Sequence, residues 1–525
     1  MEVRAGGSKL SLLPSVSTNI ASFHSRLNTG TYRYPACLTF SRMASTQRSL
    51  HSSSNKPAPS ASLTIDAVAS SLANHHPVTT DPEADIMVKP VVAPLSVLPL
   101  TNILRSLMTT EVSSSSVLLP PSLAVMSLLA HTTNPLLNPD RNPLLRYVLK
   151  KTFYAQFCAG ENAQEVKHTV DSLKGIGFSG VILGYAKEVV MTKDQTANLE
   201  ASSSAEDARA NEEIIARDEV TPWANGTMET VMLATAGDFV ALKFTGAGQH
   251  ALVSLMKQLP PSEALANAID RICQLASDRG VRLLFDAEQQ AVQAGIDDWT
   301  LQYMRKYNRP SPGQNTAKKA VIYGTYQAYL KATPRILSEH LSSAQQEGFT
   351  LGVKLVRGAY LGSDPRHLIH DTKADTDTAY DGIAKGLLSG RWNAPLRAPA
   401  TEKEAFPNVD VVLASHNRDS VLNARRILQQ QQQIGKAPTV AFAQLQGMAD
   451  EVSCELVTGE NAAEKAVAKP QVYKYLVWGS TGECMKYLLR RAHENRDAVQ
   501  RTKSGRDAMR AELVRRVKGL FGLSG

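Results

Sequence analysis

Eight short apolar runs, rich in β-branched and aromatic residues, dominate the last two thirds of this chain. Most gaps between the runs hold a helix-period segment, such as EALANAIDRICQLASDRG. Strands that alternate with helices indicate parallel βαβ units, and eight near-continuous apolar strands are the number that closes a (βα)8 barrel. The sequence therefore predicts an α/β fold with a (βα)8 barrel, and an open doubly wound sheet is the alternative. The runs are SGVILGYA, FVALKFTG, VRLLFDAE, AVIYGTYQ, LGVKLVRGAY, VDVVLASHN, TVAFAQLQG and QVYKYLVWG.

The N-terminal sixty residues differ in composition from the rest. Of the net charge of +8, this segment contributes +6, because it holds seven Lys or Arg and a single acid, Glu2. The remainder is close to neutral, so the basic balance does not point to nucleic-acid binding. An arginine-rich, serine-rich and acid-poor segment is typical of a mitochondrial transit peptide; a disordered cytosolic tail is the alternative. The five cysteines have no metal-type spacing, so no metal site is predicted.

The chain then divides into three further parts. Residues 61–165 are interrupted by Pro and Ser and are interpreted as a helical arm and linker, and residues 166–500 as the barrel. Within the barrel, residues 192–222 are charged and Ser/Ala-rich, which predicts a solvent-exposed, mobile insertion. Residues 501–525 hold seven basic and two acidic residues at roughly helical spacing. Such a helix could rest on an anionic membrane surface or pack on its own domain.

Polar residues gather at the C-terminal ends of the predicted strands. In a (βα)8 barrel that end carries the active site. The GIGFSG segment at 175–180 matches a dinucleotide fingerprint by letter, but a helix precedes it and a strand follows, the reverse of the order that the fingerprint requires. It is interpreted as a helix-to-strand turn. The polar residues at the strand ends are Lys243, Asp286, Glu288, Gln327, Arg357, Tyr360, His416, Asn417, Gln444 and Tyr475.

The segment after the last strand, TGECMKYLLRRAHENRDAVQ, predicts a helix with two adjacent arginines. Four of its residues are spaced i, i+3, i+4 and i+7 and therefore share one face. Two guanidinium groups over a barrel mouth suit bidentate recognition of a carboxylate or phosphate, and Asp286 and Glu288 are the expected acidic neighbours. A surface helix with salt bridges is the alternative. The four residues are Tyr487, Arg490, Arg491 and Glu494.

Seven blocks together resemble the proline dehydrogenase family of flavoenzymes, in that family's order, from about Val170 to Asn495. The resemblance implies a distorted (βα)8 barrel that binds FAD non-covalently over its C-terminal face and oxidises L-proline to Δ1-pyrroline-5-carboxylate. The blocks are LLFDAEQ, YGTYQAYLK, KLVRGAYL, LASHN, FAQLQGM, VYKYLVWG and KYLLRRAHEN.

The resemblance also implies roles for individual residues. Arg490 and Arg491 would hold the substrate carboxylate, Glu494 would brace an arginine, Lys243 would add positive charge, and Asp286 would pair with the arginines. Tyr475 and Tyr487 would pack around the substrate ring, with Tyr475 favouring proline over hydroxyproline. The residues that match flavin-contacting blocks are Gln327, Lys354, Arg357, Tyr360, Lys373, His416, Asn417 and Gln444.

The family resemblance further implies a mitochondrial enzyme on the matrix side of the inner membrane that passes electrons to ubiquinone, because the chain has no nicotinamide fingerprint. Peripheral membrane contact through residues 501–525 is part of that expectation. Two alternatives stay open. The first is a hydroxyproline dehydrogenase, and the second is a non-catalytic barrel that serves as a binding protein.

Overall fold

The computed structural model describes residues 93–132, 134–186, 212–310, 319–398, 405–459, 468–497 and 499–522. The predicted transit peptide and residues 192–211 of the predicted insertion lie outside these residues.

Eight parallel strands close into a barrel, as the sequence predicted. The last strand pairs with the first barrel strand along one edge, from Gly180 opposite Tyr473 to Tyr185 opposite Trp478, and with the preceding strand along the other edge. A short additional strand, which the sequence analysis did not predict, continues that second edge with Cys158 opposite Val477. The strands are β1 (Cys158–Gly160), β2 (Gly180–Tyr185), β3 (Phe239–Leu242), β4 (Arg282–Phe285), β5 (Ile322–Gln327), β6 (Leu351–Val356), β7 (Val409–Ala414), β8 (Thr439–Leu445) and β9 (Gln471–Trp478).

The two faces of each strand serve different cores. Side chains alternate along a strand, so that Val181 and Leu183 of β2 pack outward against the helices while Ile182 packs in the barrel interior. The N-terminal end of the interior is filled by aromatic rings and one arginine. The Arg282 guanidinium lies 3.6 Å from the centre of the Phe239 ring and donates a hydrogen bond of 2.8 Å to the Tyr473 hydroxyl. The interior is therefore a packed core that leaves only the other end, the mouth, for a ligand.

Helices alternate with the barrel strands, and a further group of helices precedes the barrel as an arm. Their apolar residues at i, i+4 and i+7 face the strands, as with Val166, Val170 and Leu173. The helices are α1 (Leu100–Ser114), α2 (Leu119–His131), α3 (Pro143–Leu149), α4 (Ala155–Phe157), α5 (Ala163–Ile176), α6 (Glu212–Ile215), α7 (Thr221–Leu233), α8 (Gln249–Met256), α9 (Glu263–Asp278), α10 (Gln290–Tyr307), α11 (Thr333–Glu347), α12 (Lys373–Ser389), α13 (Arg418–Gln433), α14 (Asp450–Thr458), α15 (Thr481–Asp497) and α16 (Val499–Leu520).

Two sequence interpretations concern β2 and its flanks. The GIGFSG segment is a helix-to-strand turn, because α5 ends at Ile176, Gly177 has a φ of 113° and β2 begins at Gly180. The predicted exposed insertion over residues 192–222 is described only for its last part. Residues 212–222 are helical. Arg217 and Asp218 are exposed, as predicted, whereas Val220 is buried, because this segment leads directly into α7, whose Trp223 and Ala224 pack in the main core.

The C-terminal helix α16 packs on its own domain. Arg510 forms an ion pair with Glu111 of α1, and Arg516 donates a hydrogen bond of 2.7 Å to the carbonyl of Leu98. Met509 and Glu512 are buried. Part of the basic charge that the sequence assigned to a membrane surface is therefore used within the protein.

Candidate functional site

Side chains from four strands meet at the barrel mouth around Asp286. This carboxylate follows β4 at an inward position and accepts from Lys354 of β6 at 2.5 Å and from the Tyr475 hydroxyl of β9 at 3.1 Å. The Lys243 ammonium, just after β3, lies 3.9 Å from the same carboxylate. These residues are far apart in sequence and come together because parallel strands bring their carboxyl ends to one rim.

The pair of Lys354 and Asp286 is almost fully enclosed. Their side chains are 7% and 8% exposed, and the Lys354 ammonium also lies 5.2 Å from the centre of the Tyr475 ring. A buried ion pair contributes little net stability, but loss of one partner leaves an uncompensated charge. Asp286 was expected to pair with the arginines, and that pairing stays a prediction. Asp286 pairs with Lys354, because both side chains point inward from strands of the same barrel.

The helix α15, which carries the arginine pair, is fixed at its N-terminus. Ser480 and Glu483 form a capping box, in which the Ser480 N–H donates to Glu483 at 2.9 Å and the Glu483 N–H donates to the Ser480 hydroxyl at 3.2 Å. Two arm carboxylates hold the next groups: Glu161 accepts from the Thr481 N–H at 2.9 Å, and Asp140 accepts from the Gly482 N–H at 2.8 Å.

Glu161 is also the charged centre of a small network. Its side chain is 4% exposed and pairs with Arg146 at 2.8 Å and Lys150 at 2.6 Å. Burial alone would raise the pKa of Glu161, but the hydrogen bonds from Arg146, Lys150 and Thr481 outweigh it and lower the pKa to about 2. The carboxylate is therefore ionised at neutral pH. Its negative charge stabilises the N-terminus of α15, where the helix dipole is positive.

The arginine pair lies over tyrosines at the mouth. Arg491 is 5% exposed, and its guanidinium carbon lies 5.0 Å from the centre of the Tyr487 ring. Arg490 is half-buried and lies 5.9 Å from the centre of the Tyr360 ring. The alternative of an exposed surface helix is therefore ruled out for Arg491. The side chain of Glu494 lies outside the described residues, so its predicted bracing role stays a prediction.

A pocket opens beside this cluster at the barrel mouth. Gly184 keeps one wall open, because a Cβ at this position would stand 3.1 Å from the Tyr475 hydroxyl. The sequence-predicted residues in the lining are Lys243, Tyr475, Tyr487 and Arg490, and the other lining residues are Gly184, Tyr185, Ala186, Trp223, Thr227, Ala241, Leu242 and Val477.

The predicted cofactor residues fall into two groups, of which the first lies at the strand ends. Gln327 is 3% exposed; its Oε1 accepts from the Ala359 N–H at 3.0 Å. Arg357 turns outward and donates to Ser420 at 2.7 Å. Arg357 and Lys373 also share the carboxylate of Asp377, a residue that the sequence analysis did not single out and that no strand-end position would have revealed.

The second group has structural contacts around the end of β7. The His416 Nε2 accepts from the Leu445 N–H at 3.0 Å, and Asn417 caps α13 by accepting from the Ser420 N–H at 3.1 Å. Gln444 occupies an outward position on β8. Its amide nitrogen donates to the Ser415 carbonyl at 3.2 Å, and its oxygen accepts from Ser453 at 3.1 Å.

Two further polar residues escaped the sequence analysis. The Thr325 hydroxyl, at an inward position of β5 opposite Lys354, is buried and has no hydrogen-bond partner among the described residues. Lys474 is 2% exposed on the outward face of β9 and pairs with Asp450 at 2.6 Å. The alternation of inward and outward positions along the predicted strands could have identified Thr325, whereas Asp450, the partner of Lys474, comes from helix α14.

The residues of the mouth fit a flavin and an anionic substrate in their chemistry. Lys243, Lys354 and Arg490 are cationic donors, Gln327 supplies an amide, and the Thr325 hydroxyl offers an unused polar group. Flavin diphosphates and amino-acid carboxylates are bound by such cations and amides. The aromatic rings of Tyr360, Tyr475 and Tyr487 complete an environment suited to a small ring.

Comparisons with known proteins point in the same direction. The sequence profile described as proline dehydrogenase matches residues 166–504. The "Probable proline dehydrogenase, mitochondrial" of Schizosaccharomyces pombe is 30% identical over 80% of this chain and 89% of its own length. The "Hydroxyproline dehydrogenase" of Bos taurus is 27% identical over 71% of this chain and 82% of its own length.

A solved structure shows a similar fold. It is proline utilization A (PutA) from Bdellovibrio bacteriovorus, which matches with a TM-score of 0.52 at 16% identity and covers 74% of this chain. This chain spans 38% of that longer protein. The likeness supports the barrel architecture.

Proposed function

We propose, on the premise that this chain belongs to the proline dehydrogenase family, that it binds FAD at the barrel mouth and passes electrons from L-proline to a quinone. The enzyme is an oxidoreductase that converts L-proline to Δ1-pyrroline-5-carboxylate. The observation that carries the proposal is the cationic mouth pocket, in which Arg490 and Lys243 share the lining with Tyr475 and Tyr487.

The substrate side of the pocket suits a zwitterionic ring. Arg490 and Arg491 would bind the proline carboxylate as a two-guanidinium clamp, and Glu494 would brace one of them. Lys243 adds a positive charge. Asp286 is held by Lys354 and Tyr475 and would keep the cationic side chains around the substrate in fixed positions. Tyr475 and Tyr487 would pack against the ring and exclude water from the carbon next to the nitrogen.

When bound, FAD supplies the hydride acceptor for that carbon. Lys354 and Gln327 would meet the flavin ring, since both are buried at inward positions of the mouth. Tyr360, His416 and Asn417 would contact the cofactor at the rim. Gln444 would act through the Ser415 carbonyl to which it donates. Arg357 and Lys373, joined on Asp377, would face the charged diphosphate end.

We place the enzyme in the mitochondrion, because relatives from fission yeast, Dictyostelium discoideum and Arabidopsis thaliana are named mitochondrial and the first sixty residues have transit-peptide composition. A membrane-dissolved quinone as electron acceptor would require access to the inner membrane, from its matrix side.

The clamp is tested with Arg490→Met and Arg491→Met. Each variant is expected to raise KM for proline roughly tenfold or more, because a charge-assisted hydrogen bond contributes roughly 1.5–3 kcal/mol. Turnover is measured with proline and a water-soluble ubiquinone analogue, and flavin content from the absorbance of the purified protein. Arg335→Met, which removes an exposed arginine paired with Glu339 on its own helix, is the matched control. An unchanged KM in both clamp variants would remove the carboxylate role.

Hydroxyproline is the second candidate substrate, because two relatives are named hydroxyproline dehydrogenase. The structure favours proline, since the Tyr475 hydroxyl already occupies the space beside Gly184. Comparison of kcat/KM for the two ring substrates decides between them. If the purified protein stayed colourless after flavin supplementation, the interpretation as a non-catalytic binding protein would remain.

A further inference from the structure

The exposed apolar side chains are concentrated on one part of the surface. Of 21 exposed large apolar side chains among the described residues, 12 lie between residues 100 and 148 and four between residues 514 and 521, whereas five lie on the far longer stretch from Ile214 to Ile434. The helices α1 to α3 belong to the arm that the sequence predicts over residues 61–165. Solvent-facing apolar groups at this density mark a surface that contacts another apolar phase.

Helix α2 shows the pattern most clearly. Its sequence, LPPSLAVMSLLAH, contains only two serines and one histidine as polar residues. Met126 and Leu129 face the protein and are buried, whereas Val125 and Leu128 on the other side are 55% and 53% exposed. A helix that is apolar all round requires an apolar environment on both sides. The residues that the structure describes supply only one of them.

An apolar groove of about 270 Å³ runs along this helix. Met126, Leu129 and Met485 in its wall belong to the same apolar cluster as Tyr487 and Val477, and these last two line the mouth pocket. The groove and the pocket are thus joined through one cluster of side chains. The groove is lined by Pro121, Ser122, Val125, Met126, Leu129, Leu149, Phe153 and Met485.

The charge of the arm matches an anionic lipid surface. Between residues 112 and 160 the single acid is Asp140, whose carboxylate is engaged with the Gly482 N–H. Arg141 and Lys151 are exposed on the same segment, and such residues are attracted to anionic headgroups. Tyr147 is 61% exposed beside them, and tyrosine is favoured at the boundary between headgroups and acyl chains.

The length and the bend of the described arm helices favour a surface helix over a spanning one. In the part of the chain that the structure describes, no single helix has the length and apolarity to cross a membrane, and α1 and α2 reach that threshold together only across a bend of 106°. Helices that lie in the plane of the interface bury one face to a depth of roughly 5–10 Å.

We propose that the arm docks on an anionic lipid bilayer, with Val125 and Leu128 of α2 and Leu144 and Tyr147 of α3 inserted below the headgroups. An acyl chain then occupies the α2 groove. This inference rests on the proposed transfer of electrons to a membrane-dissolved quinone, and it assigns the contact to the arm instead of the basic helix α16. The arm would bring the mouth pocket, which shares its apolar cluster, close to the acceptor.

Vesicle flotation of the full-length protein, with its flavin, tests the inference. Vesicles of phosphatidylcholine mixed with phosphatidylglycerol are expected to carry the protein upward. The double variant Val125→Glu, Leu128→Glu is expected to reduce the bound fraction roughly tenfold or more, since carboxylates are strongly disfavoured in an apolar phase. The matched control, Val514→Glu with Val517→Glu, places the same charges on the exposed apolar face of α16 and is expected to retain binding.

Three results would overturn the proposal. The first is equal flotation of the α2 variant and the parent protein, and the second is loss of binding only in the α16 variant. The third is a dimer in light scattering that the α2 variant converts to a monomer, because the face would then meet a second copy. Turnover with a water-soluble quinone analogue separates this outcome from the proposed function. The α2 variant should keep that activity, and its absence in the parent protein would refute the enzymatic proposal alone.

Discussion

Glu161→Gln is expected to loosen the helix that carries the arginine pair. In the native protein, this carboxylate accepts from the Thr481 N–H and hydroxyl at 2.9 and 2.7 Å and pairs with Arg146 and Lys150. The amide of glutamine can still accept from Thr481, but it carries no charge to balance the two cations or the helix dipole.

The lowered pKa of Glu161 gives the size of the stability loss that we expect for Glu161→Gln. The pKa of Glu161 falls from 4.5 to about 2, and each pH unit corresponds to about 1.36 kcal/mol, so the ionised carboxylate contributes at most about 3 kcal/mol. Because Arg146 is 46% exposed, solvent screening reduces its share, and we expect a loss of about 2 kcal/mol. The folded pKa is the lower one, so this contribution is complete above about pH 4.5 and is lost as the pH falls through about 2.

Urea unfolding followed by tryptophan fluorescence measures the effect at neutral pH and at about pH 3. The difference in the free energy of unfolding between the parent protein and Glu161→Gln should fall at the lower pH to less than half of its value at neutral pH. The reason is that most of this carboxylate in the parent protein is then protonated in the unfolded state. The KM for proline should rise, since the clamp loses its fixed position. Glu347→Gln is the control, because Glu347 also pairs with an arginine but is 32% exposed and is remote from α15. A difference that is independent of pH, or a control effect of equal size, would refute the electrostatic explanation.

Three further predictions follow from single contacts. Tyr475→Phe is expected to raise the ratio of hydroxyproline to proline kcat/KM roughly tenfold, because it removes the hydroxyl beside Gly184; an unchanged ratio in steady-state kinetics would contradict this. Lys474→Met should destabilise the fold by about 3–5 kcal/mol in urea unfolding, because it strands the buried Asp450, and Lys474→Met combined with Asp450→Leu should recover much of that loss. Gly295→Ala should destabilise by about 1–3 kcal/mol, since its Cβ would stand 2.3 Å from a carbonyl oxygen of α8.

The local sequence pattern was sufficient to predict the barrel. The eight strands and the helix-to-strand turn at Gly177 were predictable, because the apolar period and the turn residues act over a few neighbours. The short strand Cys158–Gly160 was missed, since three small residues carry no periodicity and pair only through the end of β9. The helix over residues 212–222 was missed, because its polar composition hides a segment that is held by its junction with α7.

The residue types of the candidate site were readable for the same reason. Polar residues at strand ends, and arginines on one face of the last helix, follow from spacing along the chain. The ionic and hydrogen-bond partners of these residues could not be predicted from spacing along the chain. Lys354 reaches Asp286 across the barrel, and Glu161 of the arm holds the start of α15, 320 residues away. Such pairings depend on how the barrel closes and on where the arm packs. Burial also belongs to the tertiary structure, and it determines which charges are strongly coupled and which apolar face of α2 stays uncovered.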